Sequence, residues 1–355
     1  MISLESLKIE AVDLLKTLIS TPSLSREEEK TADIIASYFR SKGYRPERFM
    51  NNVWVLSSNF NEEKQTLLLN SHHDTVKAVD GWTVPPFEAT ENGGKIYGLG
   101  SNDAGASLVS LIATFLYLDK LPTRGYNIVF AASAEEEVSG KNGVEILLSE
   151  LPRIDVGIVG EPTKMEMAIA EKGLLVLDCI ARGKAGHAAR NEGVNAIYKA
   201  IDSINWFNTF EFPLVSDLLG PVKMTVTMIK AGQQHNVIPD ICEFVVDIRV
   251  NECYSNEEVY QLIKTNAGCE VNPRSFRLNS SRINLNHKLV KRGLELSIPY
   301  YGSPTMSDQV FMTFPTLKMG PGDSARSHTA DEFIYIEEIF NGIEIYCELL
   351  TNLVL

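Results

Sequence analysis

The stretch LLLNSHHDTV, residues 67 to 76, sets two histidines and an aspartate directly behind an apolar run. The chain has only six histidines, so a pair beside a carboxylate is a candidate for metal binding or proton transfer. His-x-Asp alone is a weak signal that an ordinary polar loop would also give. Other segments repeat the arrangement. YNIVFAASA is followed by Glu135, Glu136 and Glu137, and DVGIVG by Glu161; Asp103 stands in GLGSNDAGAS ahead of a helical pattern, and GPGDSARSHTADEF carries His328. In open α/β sheets ligands gather at the carboxyl ends of the strands, so groups just past successive strands converge on one rim. Acidic and imidazole groups massed there would repel and desolvate one another unless cations sit among them. Histidines and carboxylates without a thiolate suit zinc, with cobalt or manganese able to substitute. One carboxylate more than a single ion needs suggests two ions sharing a bridge, about 3.5 Å apart.

The elements that must position these groups can be read from periodicity. Leu4, Leu7, Val12, Leu15, Leu18 and Ile19 recur at helical spacing and predict an amphipathic first helix that ends before Pro22. Ser25 with Glu28 three positions on predicts a capping box for a second helix, stopped by Gly43. TLLLNS, YNIVFAA and DVGIVG read as strands, separated by the helix AGASLVSLIATFLYLDKL and a helix near 141 to 150. Strands alternating with helices predict an α/β fold, a mostly parallel sheet with helices on both faces. After about residue 173 the order becomes β-α-β-β-α, with a last strand near 275 to 280, which predicts an inserted α+β sandwich. The expected domains are therefore 1–172 with 282–355, holding the metal site, and 173–281, the insertion.

Composition narrows the partners. A chain of 355 residues favours about two domains. Its net charge of -13 argues against nucleic acid or an anionic membrane as the main partner. Five scattered cysteines without a Cys-x-x-Cys pair read as reduced thiols of a cytoplasmic protein. MISLESLKIEAVDLLKTLIS mixes acids into its apolar residues and reads as a helix rather than a secretory signal, and no segment reads as a membrane span.

Eight segments in order, SHHDTV, GLGSNDAGAS, AEEEVSGKNG, VGEPT, GKAGHAA, NVIPD, DIRV and RSHTADE, resemble the signatures of the zinc-dependent aminoacylase and carboxypeptidase family. That group includes N-acetylornithine deacetylases, succinyl-diaminopimelate desuccinylases and acetyl-lysine deacetylases. The length and the VGEPT and RSHTADEF segments look most like N-acyl-ornithine or N-acyl-citrulline deacylases of arginine biosynthesis. The resemblance implies a di-zinc centre in which His72, Asp103 and Glu161 hold one ion and Asp103, Glu137 and His328 the other. It implies Asp74 as the residue that orients His72, and Glu136 as the catalytic base; His73 has no assigned metal role. Many relatives have Met-Lys-Gly after the bridging aspartate; here Ala104, Gly105 and Ala106 stand instead, which puts contacts of the missing lysine in doubt.

The same resemblance implies that His187 stabilises the oxyanion from a second subunit, making the insertion both lid and homodimer surface. Its Gly- and Ala-rich setting also fits a simple turn. Arg249 and Asn236 match positions that hold the substrate carboxylate, although Arg249 could equally form a surface ion pair. In GSPTMSDQVFM, Ser307 or Asp308 fits a helix cap, while Thr305, Ser307 or Asp308 lining the pocket would bear on specificity. The implied substrate is a small N-acyl amino acid. A dipeptidase, a diaminopimelate-type desuccinylase, an acetyl-lysine deacetylase and a catalytically silent metal-binding protein are the alternatives.

Overall fold

Ser3 accepts the N–H of Ser6 and starts helix α1, Leu4–Ile19, whose Leu7, Leu14, Leu15 and Leu18 form one buried stripe. This is the amphipathic pattern the spacing predicts. The computed structural model describes residues 3–121, 124–190 and 192–355. Helix α2, Glu29–Ser41, ends at Gly43, which takes φ 85°, a conformation costly for any residue with a Cβ. Its start differs from the expected capping box. Glu28 is the N-cap, and the Ser25 hydroxyl donates to Asp74 Oδ2 at 2.7 Å instead.

By contact the chain divides into two compact units: Met1–Ile169 with Arg282–Tyr301 and Ser307–Leu355, and Ala170–Ser281 with Gly302–Met306. The strands of the first unit that lead to the site include β1 Asn52–Leu56, β2 Thr66–His72, β3 Asn127–Ser133 and β4 Val156–Val159, with α3, Ala106–Asp119, between β2 and β3. Strand β5, Met167–Glu171, leads out of it. Strands β2, β3 and β4 lie parallel, in the order β1-β3-β2-β4, with β1 antiparallel at one side. Every residue of β2 and β3 is buried, so both faces of the sheet are covered. On one face Phe130 of β3 meets Phe39 of α2 at 5.2 Å, and Phe39 meets Phe115 of α3 at 5.8 Å. The other face carries a separate cluster of Trp54, Leu68, Val129, Val144, Leu147 and Val159. Helix α3 is buried on nearly every side and packs against α1 and the C-terminal helix. The helix read near 141 to 150 is a single turn, Val144–Leu147.

The second unit is an antiparallel sheet with two helices. Its strands are β6 Gly173–Arg182, β7 Lys223–Ala231, β8 Ile241–Val250 and β9 Glu270–Pro273, in the order β7-β8-β6-β9. Alternate residues of β6 and β8, among them Leu175, Leu177, Phe244 and Val246, share a core with helices α4, Ala196–Thr209, and α5, Asn256–Asn266. Strand β9 falls earlier than the expected 275 to 280. The carbonyls of Phe276 and Leu278 take hydrogen bonds from the Asn256 side chain at 3.3 and 2.9 Å, and the Leu278 carbonyl takes the Leu174 N–H at 2.9 Å, so that stretch is held largely by a side chain and forms no regular ladder. The first unit then resumes with α6 Lys288–Glu295, β10 Thr316–Lys318 and α7 Ile336–Thr351. Strand β10 pairs parallel with β4 and touches β5 through Lys318 and Ala168. Among the described residues no helix is long and apolar enough to cross a membrane.

Candidate metal centre

The centre begins where β2 ends. Successive residues of a strand point to opposite sides, so the two adjacent histidines part company. His73 turns into the protein, where Nε2 donates to the Asn51 carbonyl at 2.9 Å and Nδ1 lies 2.9 Å from Thr31 Oγ1. Burial pushes its pKa down to about 4, which keeps the ring neutral. His72 turns the other way. Its Nδ1 lies 3.0 Å from the Asp74 carbonyl oxygen and 3.4 Å from Asp74 Oδ1. With the Nδ1 proton given to Asp74, the Nε2 lone pair faces Asp103 at 3.3 Å and Glu161 at 3.8 Å. A lone pair facing two carboxylates is repulsive without a cation between them. Burial alone would strip His72 of a second proton, but the Asp103 and Asp74 carboxylates outweigh it and raise its pKa well above the ordinary value.

Asp74 does more than face His72. Its oxygens accept the N–H groups of Glu136 at 3.1 Å and Glu137 at 3.2 Å, and the Ser25 hydroxyl at 2.7 Å. Although burial works against ionisation, the His72 hydrogen bond and these donors hold its carboxyl below the usual range. One buried aspartate therefore sets both the imidazole and the short turn Glu136–Val138 just past β3. Glu135 points away, bonded to the Asn142 amide at 3.0 Å. Gly140 makes that possible, since a Cβ there would stand 1.9 Å from Glu135 Oε2.

Glu137 reaches His328 Nε2 at 3.0 Å, and Asp103 Oδ2 lies 3.6 Å from the same nitrogen. Asp103 thus stands between two imidazoles, one to each oxygen. Donor atoms of His72, Asp103 and Glu137 lie within 4.8 Å of one another, as do those of His72, Glu136 and Glu161. Burial, with the neighbouring carboxylates, raises Glu136 well above the ordinary value, and burial pushes Glu161 up to about 8. His328 is lifted to about 9 by its bond to Glu137. Glu136, Glu161 and His328 lean toward their less negative or more positive forms, the response of a site lacking positive charge, while Asp103, buried but bonded to His72, is held below the usual carboxylate range. Imidazoles and carboxylates with no thiolate among them fit zinc or a similar divalent ion.

The remaining candidates fall in both units. Ser307 caps the turn Asp308–Phe311, accepting the Gln309 N–H. Asp308 is buried and accepts from Asn70 Nδ2 at 3.1 Å and Ser133 Oγ at 2.5 Å. In the second unit, the Arg249 fork is engaged by Asp247 at 2.9 and 3.1 Å. His187 and Asn236 are neighbours there: the Asn236 carbonyl accepts the Ala188 N–H at 3.0 Å, and exposed His187 accepts the Ala189 N–H on Nδ1 at 3.1 Å. Thr305 bonds to Ser303 at 3.0 Å in the same unit. Two contributors escape sequence reasoning. Ser25 matches a capping pattern and serves Asp74 instead. Glu332, inside the RSHTADE segment, accepts the Asp103 N–H at 2.9 Å.

The sequence profile described as Peptidase family M20/M25/M40 matches residues 68–352. The chain is 27% identical to an acetylornithine deacetylase from Proteus mirabilis over 372 residues, covering 96% of each. It is 26% identical to a succinyl-diaminopimelate desuccinylase from Wolbachia pipientis over 375 residues, 98% of this chain and 94% of that one. Among solved structures, aminopeptidase PepT from Bacillus cereus superposes with a TM-score of 0.79 at 18% identity, covering 97% of this chain and 98% of its own.

Proposed function

Because the chain belongs to peptidase family M20/M25/M40, we propose that it removes an acetyl or succinyl group from the amine of an amino acid, with N-acyl-ornithine or N-acyl-citrulline of arginine biosynthesis as substrate. As a member of that family it is a metal-dependent hydrolase of linear amides. The observation that carries the reading is the Asp103 carboxylate between His72 at 3.3 Å and His328 at 3.6 Å, with Glu136 beside them. Likeness to both a deacetylase and a desuccinylase supports an acyl amino acid and leaves diaminopimelate as the second reading.

His72, Asp103 and Glu161 would hold one ion and Asp103, Glu137 and His328 the other, with Asp103 as bridge. When bound, two zinc ions, or cobalt or manganese in their place, supply an acidified water and a polarised acyl carbonyl. Glu136 takes the attacking water's proton and returns it to the departing amine. Asp74 keeps the proton on His72 Nδ1 and so keeps Nε2 facing the centre. In His187 the Ala189 N–H occupies Nδ1, which leaves Nε2–H as a donor for the oxyanion, acting from a second subunit. Arg249 would exchange Asp247 for the substrate carboxylate, with Asn236 assisting. Thr305, Ser307 and Asp308 would govern specificity, a substrate amine sharing Asp308 with Asn70 and Ser133.

A homodimer through the second unit is supported by β7, an edge strand whose Met228 and Ile229 are 65% and 58% exposed, and by exposed Tyr198 and Ile201 on α4. Composition supports a cytoplasmic setting. The test is a substrate panel of N-acetyl- and N-succinyl-ornithine, citrulline, lysine and diaminopimelate beside simple dipeptides, before and after chelation. The reading expects ornithine or citrulline derivatives to lead and activity to return with zinc or cobalt; faster cleavage of dipeptides than of every acylated amino acid would reject it.

A further inference from the structure

Asp103 lies on a segment, Gly98 to Ala104, that belongs to neither a strand nor an α-helix; Ser101 bonds within it and Leu99 to the Pro86 carbonyl, but the N–H groups of Gly98, Gly100, Asn102 and Asp103 need other acceptors. Glu332 supplies them. Its Oε1 accepts the N–H groups of Asn102 at 2.8 Å and Asp103 at 2.9 Å, its Oε2 accepts that of Gly100 at 3.2 Å, and its own carbonyl accepts that of Gly98 at 3.0 Å. Glu332 is 2% exposed; burial, with Asp103 nearby, pushes its pKa up to about 8, and the hydrogen bonds from the three amides pull the other way. A second set of bonds runs beside the first. Asn102 Nδ2 donates to the Asp323 carbonyl at 3.1 Å and to Ser327 Oγ at 3.2 Å, while its Oδ1 accepts the Asp323 N–H at 3.0 Å. The room for that amide comes from Gly322, where a Cβ would stand 2.5 Å from Asn102 Oδ1. One stretch, 322–332, therefore grips the Asp103 segment from both sides and carries His328 between the two grips.

We infer that Glu332 is a positioning residue: with Asn102 it fixes the Asp103 backbone against the His328 loop and so sets the spacing of the bridging carboxylate and the second imidazole. It is not a ligand, because both its oxygens are spent on backbone amides. The inference rests on the di-metal reading above. An acceptor-only group is required, since a glutamine of the same shape would turn an NH2 donor toward N–H donors.

The experiment titrates Co2+ into metal-free wild type and Glu332→Gln, following visible absorption and calorimetric affinity, with far-UV circular dichroism and metal-free melting as controls. The expected result is a wild type that takes up two ions and a folded variant in which one ion binds at least about tenfold more weakly with altered absorption bands, and kcat falls with little change in KM. Wild-type affinity and spectrum in the variant, beside a wild type that binds both ions, overturn the clamp alone. A wild type that binds no pair of ions overturns the di-metal reading and the clamp with it. Should Glu332→Gln not fold, Asn102→Ala carries the same two readouts, and an unchanged affinity and spectrum there overturn the inference.

Discussion

On the sheet of the second unit, Asp178 meets Arg274 and Glu270 meets Arg182, each through two hydrogen bonds and open to water. On the rim of the first unit, Asp103, Glu137 and Glu161 are largely covered, and the ion-pair partners they show are the imidazoles of His72 and His328. The exposed pairs neutralise themselves with planar forks at little cost and little gain. The rim holds more negative charge than two imidazoles can balance, and burial makes that imbalance expensive. Paired charge marks a surface that needs nothing further; unpaired charge at a strand end marks a place built for something not encoded in the chain.

Four substitutions or conditions would break or sharpen that contrast. The largest effect belongs to Glu136→Gln, which should lower kcat by about 10² to 10⁴ while metal content stays at the wild-type level, because a base is lost and no ligand is; a variant within a few-fold of wild type would remove Glu136 from the chemistry. Asp74→Asn should cost about ten- to hundredfold in metal affinity or activity, since the amide cannot hold the His72 proton and accept the Glu136 and Glu137 amides as the carboxylate does. Isothermal titration of the metal-free variant with zinc reads this directly.

The third concerns pH. In the metal-free chain His328 is raised from 6.5 to about 9 and Glu161 from 4.5 to about 8. Both bind a proton more tightly folded than unfolded, so each adds stability that is complete below its unfolded value and lost as pH rises through its folded one. Calorimetry in chelator should therefore show Tm falling between pH 4.5 and 9, with the fall between 6.5 and 9 reduced in His328→Ala, where Glu161 still contributes up to about 8. Saturating zinc should flatten the slope; a slope that zinc leaves untouched would separate these groups from the metal. The smallest effect is that of Arg274→Ala, whose exposed pair with Asp178 should be worth at most about 1 kcal/mol and fade in salt. A larger loss in urea unfolding would mean the second unit depends on its surface pairs more than their exposure implies.

Much of the scaffold is legible because burial writes itself into composition. The unbroken apolar runs of β2 and β3 and the alternation in β6 and β8 mark strands covered on two faces or on one. The polar residues just past each strand, together with the two flanking loops, put His72, Asp103, Glu137, Glu161 and His328 in one group, and these side chains do meet. Failures occur where one side chain acts over a long sequence distance. Ser25 and Glu28 have the spacing of a capping box, yet the hydroxyl goes to Asp74, 49 residues on. Asn256 holds the stretch near 275 to 280 that reads as a strand. Glu332 leaves no trace because its partners are backbone amides, which every residue but proline carries.

The strand order also has a consequence for biosynthesis. Strand β10, from the last eighth of the chain, fills the place between β4 and β5, so a ribosome must release residue 318 before those two edges are covered. Until then a nascent polypeptide presents open edges that invite pairing with strangers. The second unit, nearly continuous from 170 to 281, has no such wait. Stalled or truncated translation products should therefore be the species that chaperones hold and proteases clear.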